Sequence, residues 1–536
     1  MQRSPGGPRF LRSEPYLVLG FVLGAVLVRS PAMLYSALNY DESMYLLMGS
    51  EFARGHLPYT TICDLKPFGL FALATPVAAS PFDPVFTARI VSSIVVGLTA
   101  WMLSQIARQL FGPGGRAIGI VAGLSYIVFS VATGGLAFQG ELFQDAVSVL
   151  GLLLLLRAIG RCVPPSAAAM CVVGLVLGTG VQIKQSTLFD MLAFLAGFFI
   201  LVVPLSRESG VRLRTSLKPL LVLGASSLLP TLSVIALYAA TGHLDAWTTA
   251  NIDAHRVFYG RDRGFALEPA FEMAWEQLPL WLTAATALVL APGLALEPRE
   301  CRAVAFLGVW WAAVAACIAF LRISADHYFL QFLPPLCLLT GLAVGRGVLA
   351  RIPDRHAAGA VLVALASLTM FAVARYPILH AILMLNDRFG GERWAGDTPR
   401  RIAADLKPLL QRGDTIYVVG FQPAVYLLTG AMIPTRFAFT GLPHFQVPGR
   451  DGCPWVEPAV EMRRVMERRP RFVVVERNIF LAEMRSDVRQ ILDEHLAYSY
   501  RLRKRVEEHR LHYYYPFERF IMDGGKAADV YELSGG

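Results

Sequence analysis

The feature that most constrains this chain is the recurrence of uncharged apolar runs about as long as a bilayer is thick. A membrane core takes roughly 20 apolar residues per helix. Stretches of that kind fall at approximately 16–36, 88–110, 117–134, 142–160, 167–183, 187–205, 219–240, 278–294, 303–321, 328–345 and 357–375. In lipid such a segment satisfies its backbone polar groups only as a helix. Composition agrees, with 55% hydrophobic and 17% charged residues, where soluble globular chains carry about a quarter charged. The expected fold is a polytopic α-helical membrane protein of about eleven transmembrane helices. Arg3, Arg9 and Arg12 ahead of the first run resemble a signal peptide. Its length, and the lack of an Ala-x-Ala site after it, favour an uncleaved anchor.

The net charge of +9 reads as topology. With the N-terminus inside, cationic clusters such as Arg108 with Arg116, Arg157 with Arg161, and Arg346 with Arg351 fall on the cytoplasmic side. The opposite connections hold Asp41, Glu42, Glu51, Asp64, Asp83 and Glu141. No basic stripe interleaves with aromatics, so nucleic acid is not an expected partner. An odd number of spans places residues after about 376 outside. There "TPRRIAADLKPLL" reads as a capped amphipathic helix, "DTIYVVG" and "RFVVVER" as buried strands, and "SDVRQILDEHL" as another helix. The expected division is a membrane domain over 1–375 and a small extracytoplasmic α/β domain over 376–536. "EMRRVMERRPR" reads as a solvated helix face. The seven cysteines show no metal-ligand spacing, and a disulfide between Cys63 and Cys453 stays open.

The first outer loop, "LNYDESMYLLMGSEFARGHLPYTTICDLKPFG", sets acids and a lysine beside a membrane-length segment. Asn39 with Glu42 three residues later fits a capping box, so a structural role for these acids is open. On a helix starting near residue 40, however, Asp41, Tyr45 and Met48 share one face, which capping does not require. Pro67 drives Lys66 out of the α region just before an apolar helix, and an ammonium at a helix start suits an anion. Snorkelling to headgroups is its plain alternative. Gln139 and Glu141 in "FQGELFQD", Lys184 and Gln185 in "GVQIKQS", and Arg322, His327 and Tyr328 in "LRISADHYFLQFLPP" fall on the same predicted side. Polar groups at membrane depth are candidate functional groups. Trp247, His255, Arg256 and Tyr259 in the 241–277 loop are candidate sugar contacts, with packing the commoner role of surface aromatics.

Asp41 is placed to take a hydroxyl proton, and Lys66, with Arg322 or Lys184, to neutralise a leaving phosphate. A base opposite a leaving phosphate implies in-line displacement with inversion. Glu42, Asp64 and Glu141 are candidate ligands for a divalent metal ion, although no spacing demands one. A lipid or glycan transporter or flippase is the competing class. Its ionisable groups belong near the midplane, whereas the spans here read as nearly free of charge.

"YDESMYL", "DLKPFG" and "TARIVSS", together with "FQGELFQD" and "DHYFLQFLPP", resemble the membrane glycosyltransferases of the C fold (GT-C). The likeness is to the branch holding the protein O-mannosyltransferases and the aminoarabinose transferases of lipid A, over roughly residues 15–345. It implies a polyprenyl-phosphate-linked sugar as donor and a glycan, lipid or protein as acceptor, at the outer face of a bacterial cytoplasmic (inner) membrane. It implies further that Asp41 is the catalytic carboxylate, that Glu42 neighbours it in an acceptor or metal site, and that Lys66 contacts donor phosphate. The chain has Lys-Pro-Phe where the family commonly has Lys-Pro-Pro, and Met44-Tyr45 near where the aminoarabinose transferases carry an arginine.

Overall fold

The computed structural model describes residues 7–33, 35–36, 38, 40–132, 134–161, 165–208, 213–259, 274–275, 277–290, 296–321, 326–373, 381, 385, 389, 397–419, 423–438, 456–477, 484–507 and 527–534. Its contacts divide the chain into two units. One holds residues 1–30, 89–234 and 263–377; the other holds 31–88, 235–262 and 378–536.

The first unit is helical. Among the described residues six helical stretches are long and apolar enough to cross a membrane: Glu14–Ala32, Pro84–Phe129, Gly140–Gly160, Lys218–Ala240, Pro298–Leu321 and His327–Gly347. The second of these runs through a 3-10 turn at Gly112–Gly114 and carries two of the expected spans. Four of the remaining expected spans coincide with shorter apolar helices, Ala167–Ile183, Thr187–Leu201, Leu278–Val289 and His356–Leu365. Small residues let the backbones meet. Gly341 and Gly345, one turn apart, seat the Leu333–Gly347 helix on the Gly115–Phe129 helix, and a Cβ at Gly345 would stand 2.8 Å from the Ile118 nitrogen. Arg29, fully buried, ties this packing together: it donates to Ser93 Oγ at 3.2 Å and to the carbonyls of Ser130 and Gly135 at 3.3 and 2.6 Å.

In the second unit the Tyr40–Ala53 helix packs on the Phe68–Ala78 helix. Asn39 lies outside the described residues, but the expected acids do occupy the first turn. Gly49 is the point of close approach, where a Cβ would stand 2.7 Å from the Ala74 carbonyl carbon. Gly49→Val is therefore expected to lower stability by roughly 1–3 kcal/mol, read as a fall in the thermal midpoint; an unchanged midpoint would mean that the two helices slide apart freely.

The same unit holds a four-stranded sheet of order β1-β2-β4-β3, from β1 (Ile416–Val419), β2 (Phe472–Glu476), β3 (Tyr500–Val506) and β4 (Ala528–Leu533). β1 and β2 are parallel, with the Pro458–Glu467 helix between them in sequence, and β4 is antiparallel to both its neighbours. β1 and β2 are buried along their length, which is why they are continuous apolar runs. Met462, Val465 and Met466 pack inward with Val488, Ile491 and Leu492 of the Ser486–Ser499 helix, leaving Arg463 and Arg464 exposed. β3 is a basic strand at the sheet edge, a charge pattern that discourages edge pairing. Asp397 caps the Thr398–Leu406 helix, accepting the Arg400 N–H at 3.2 Å and the Ser36 N–H at 2.8 Å, while the Arg400 guanidinium grips Asp83 at 2.7 and 3.1 Å. Cys63 is disulfide-bonded; Cys453 lies outside the described residues.

Candidate active site

The expected site residues form two clusters, one in each unit. In the second unit Asp41 stands in the first turn of its helix with its carboxylate 3.6 Å from Lys66 Nζ. Both side chains are partly exposed, 26% for Asp41 and 18% for Lys66, so the pair borders open space without being dissolved in it. Tyr45, one turn on and buried, bonds the Asp41 carboxylate through its hydroxyl. Burial first, and then Asp41, hold that phenol well above its ordinary pKa, keeping it a neutral donor. Asp41 and Tyr45 thus meet as the helical spacing requires, and Lys66 joins them from the segment before the next helix. Glu42, the next residue in the same turn, is buried.

Lys66 sits on a loop gripped by its carbonyls. The Tyr59 hydroxyl donates to the Lys66 carbonyl at 2.6 Å, His255 Nε2 to that of Leu65 at 3.1 Å, and the Tyr238 hydroxyl to that of Pro58 at 2.9 Å. Asp64 turns back to accept the Lys66 N–H at 2.7 Å. His255, expected as a sugar contact, therefore holds the loop. Burial, with Lys66 nearby, lowers its pKa, so the imidazole is neutral near pH 7. Trp247 has its indole N–H buried without a hydrogen-bond partner among the described residues, Arg256 pairs with Asp253 at the surface at 3.7 Å, and the Tyr259 side chain lies outside the described residues.

Burial raises Asp64 to about 6, a rise opposed by Lys66 and reinforced by Asp41. Because its folded pKa lies above the usual carboxylate value, this group's contribution to stability falls as pH climbs toward about 6 and is flat above. The carboxylate form is the one that steadies Lys66. Activity is therefore expected to decline below about pH 6, and Asp64→Asn to remove that limb from the kcat/KM profile. A limb that survives the substitution would assign the titration to another group, with Asp41 and His255 the neighbours to examine.

In the first unit Glu141 opens the Gly140–Arg161 helix, and Lys184 stands at the break between the Ala167–Ile183 and Thr187–Glu208 helices. Lys184 is ion-paired with Glu141 and lies over the Tyr328 ring, 3.8 Å from its centroid. His327 Nε2 is 3.7 Å from the same carboxylate. All four are buried: Glu141 is 0%, Lys184 6%, His327 8% and Tyr328 9% exposed. Among the described residues Glu141 Oε2 and both amide atoms of Gln139 have no hydrogen-bond partner, and buried polar atoms in that state want one. Arg322 lies outside the described residues.

Below this cluster lies a polar network that the reading of the spans as nearly charge-free missed. Asp190 accepts from Ser148 Oγ at 2.7 Å, Trp310 Nε1 at 2.8 Å and Gln144 Nε2 at 3.2 Å. Ser186 Oγ donates to Gln144 Oε1 at 2.8 Å, and the Tyr126 hydroxyl to Asp145 at 3.0 Å. One or two acids in a long apolar helix barely lower a hydropathy average; for Asp145 the signal was its four-residue spacing from Glu141, which puts both on one helix face. Among the described residues no three His, Cys, Asp or Glu side chains converge as metal ligands.

The chain shares the C fold seen in membrane glycosyltransferases, and solved structures with that fold match it over most of its length. ArnT from Cupriavidus metallidurans in the apo state matches with a TM-score of 0.56 at 14% identity, over 96% of this chain and 97% of that one. The same protein bound to undecaprenyl phosphate matches with a TM-score of 0.54 at 16% identity, over the same shares. The Archaeoglobus fulgidus oligosaccharyltransferase tethered with an acceptor peptide gives 0.50 at 12% identity, over 86% of this chain and 69% of that one. No protein-family model matches the chain, and no curated protein sequence matches it significantly.

Proposed function

We propose that this protein is an inverting membrane glycosyltransferase that moves a sugar from a polyprenyl-phosphate carrier to an acceptor on the outer face of the bacterial cytoplasmic membrane. The observation that carries the reading is the partly exposed Asp41–Lys66 pair, backed by Tyr45, on this fold. Asp41 takes the proton of the acceptor hydroxyl. The hydroxyl oxygen forms its bond to the anomeric carbon as the bond from that carbon to the phosphate oxygen breaks. The electron pair leaves with the phosphate, whose charge Lys66 offsets. Glu42 supports Asp41, and Asp64 steadies Lys66. Glu141, Lys184, Arg322, His327 and Tyr328 serve substrate binding. The polyprenyl phosphate seen bound to ArnT is consistent with a lipid-linked donor here. Eleven crossings, an inside N-terminus and an outer α/β domain over 376–536 complete the proposal.

The buried Asp145 and Asp190 favour the transporter reading at first sight, since acids within spans mark ion pathways. Asp190, however, is saturated by three donors and Asp145 holds the Tyr126 hydroxyl, an arrangement that suits a fixed scaffold. The two readings separate in one experiment. The full chain in liposomes is supplied with polyprenyl-phosphate-linked hexoses and pentoses, labelled in the sugar, and with membrane extract as acceptor. Transfer with release of free polyprenyl phosphate supports the enzyme; movement of intact carrier between leaflets without cleavage sinks it. Glycan profiling of a strain lacking the protein then names the acceptor.

A further inference from the structure

We propose that Arg436 is a positioning residue of the transfer site, clamping the backbone of the loop that carries Asp64 and Lys66. The proposal rests on those two residues serving the reaction above. Arg436 meets the loop at two points four residues apart: its Nη2 donates to the Tyr59 carbonyl at 2.9 Å, and its own carbonyl accepts the Cys63 N–H at 2.9 Å. Tyr59 passes the constraint on, because its hydroxyl holds the Lys66 carbonyl at 2.6 Å.

Tyr59 itself has φ +69°. A bulky residue stays in that left-handed region only where its surroundings over-determine it. Here they do so through the Arg436 bond and through Tyr59 ring contacts with Phe71 and Tyr238, each at 5.8 Å. Arg436 is in turn anchored: Thr435 Oγ1 donates to Glu461 at 2.6 Å and Arg468 Nη1 to the Pro434 carbonyl at 2.7 Å. Glu461 belongs to the Pro458–Glu467 helix, whose apolar face packs in the core of the sheet. The chain of contacts therefore runs from the α/β sheet through Arg436 and Tyr59 to the Lys66 backbone. On this reading the C-terminal part sets the geometry of the first loop as well as folding beside it.

The test compares the full-length wild type with Arg436→Met, Arg436→Lys and Tyr59→Phe in liposomes, following kcat and KM for the lipid-linked sugar and hydrogen exchange of the 56–67 amides. Arg436→Met is expected to lower kcat roughly 10- to 100-fold, the scale of an ångström-sized misplacement. Loop exchange should quicken while exchange in β1 and β2 stays unchanged, and Arg436→Lys should recover part of the rate. Arg436→Met combined with Tyr59→Phe should cost less than the sum of the two, since both cut one path. Should Arg436→Met fail to fold, the lysine variant and Tyr59→Phe carry the comparison. Wild-type loop exchange in the variants, or quickened exchange with full kcat, overturns the proposal. If the wild type transfers no sugar, the functional reading fails by itself, and loop exchange still decides the clamp.

Discussion

Asp41→Asn is expected to abolish most sugar transfer, lowering kcat by roughly 10²–10⁴-fold, the usual worth of a positioned base. Asparagine has the size of aspartate and keeps an oxygen for the Tyr45 hydroxyl, so the first turn of the helix should stay as it is. What it loses is the ability to accept a proton and the negative charge that faces Lys66 at 3.6 Å. The two losses read out differently. Without a base, kcat falls while affinity for the carrier changes little; without its counter-charge, Lys66 is freer to meet an anion, and carrier binding holds or tightens. Asp41→Glu keeps the charge at a different reach and should recover only part of the rate. The measurement is single-turnover transfer in liposomes at matched protein. Turnover near wild type in Asp41→Asn, with the protein folded, would remove Asp41 from the chemistry and with it the proposed mechanism.

The second large effect concerns Glu141 and Lys184. Removing one partner from a buried ion pair leaves the other charge uncompensated and costs roughly 3–5 kcal/mol, whereas replacing both by neutral groups costs far less. Lys184→Met should therefore lower the thermal midpoint in detergent sharply, because Glu141 is fully buried and among the described residues retains the more distant His327. Glu141→Gln should also lower it, though less, since Lys184 keeps the Tyr328 ring beneath it. The double variant Glu141→Gln with Lys184→Met should regain most of the loss. If Lys184→Met melts with the wild type, Glu141 is reached by water and the ion pair is not a buried one. Transfer should fail in all three variants if these residues bind substrate.

The legible parts of the protein were those written in local periodicity. Asp41 and Tyr45 meet because a helix brings residues four apart together, and Lys66 precedes a helix because proline forbids the α region before it. β1, β2 and the Ser486–Ser499 helix showed in their apolar patterns. β4 is interrupted by acids, Asp529 and Glu532, and β3 carries four cations in seven residues, so neither advertised itself. Asp145 and Asp190 were hidden by the apolar residues around them, and only their donors reveal how a carboxyl group is tolerated there.

By itself, the order of residues determined that most of this chain belongs in lipid, that acids and a lysine follow its first apolar run, and that an α/β pattern closes it. Those are consequences of transfer free energy and backbone geometry, which act over a few turns. Only the tertiary structure decided that Lys184 answers Glu141, that His255 holds a carbonyl and not open space, and that Arg436 reaches Tyr59 across 377 residues. Such contacts join positions far apart in sequence, and their partners are selected by packing, which no local pattern records.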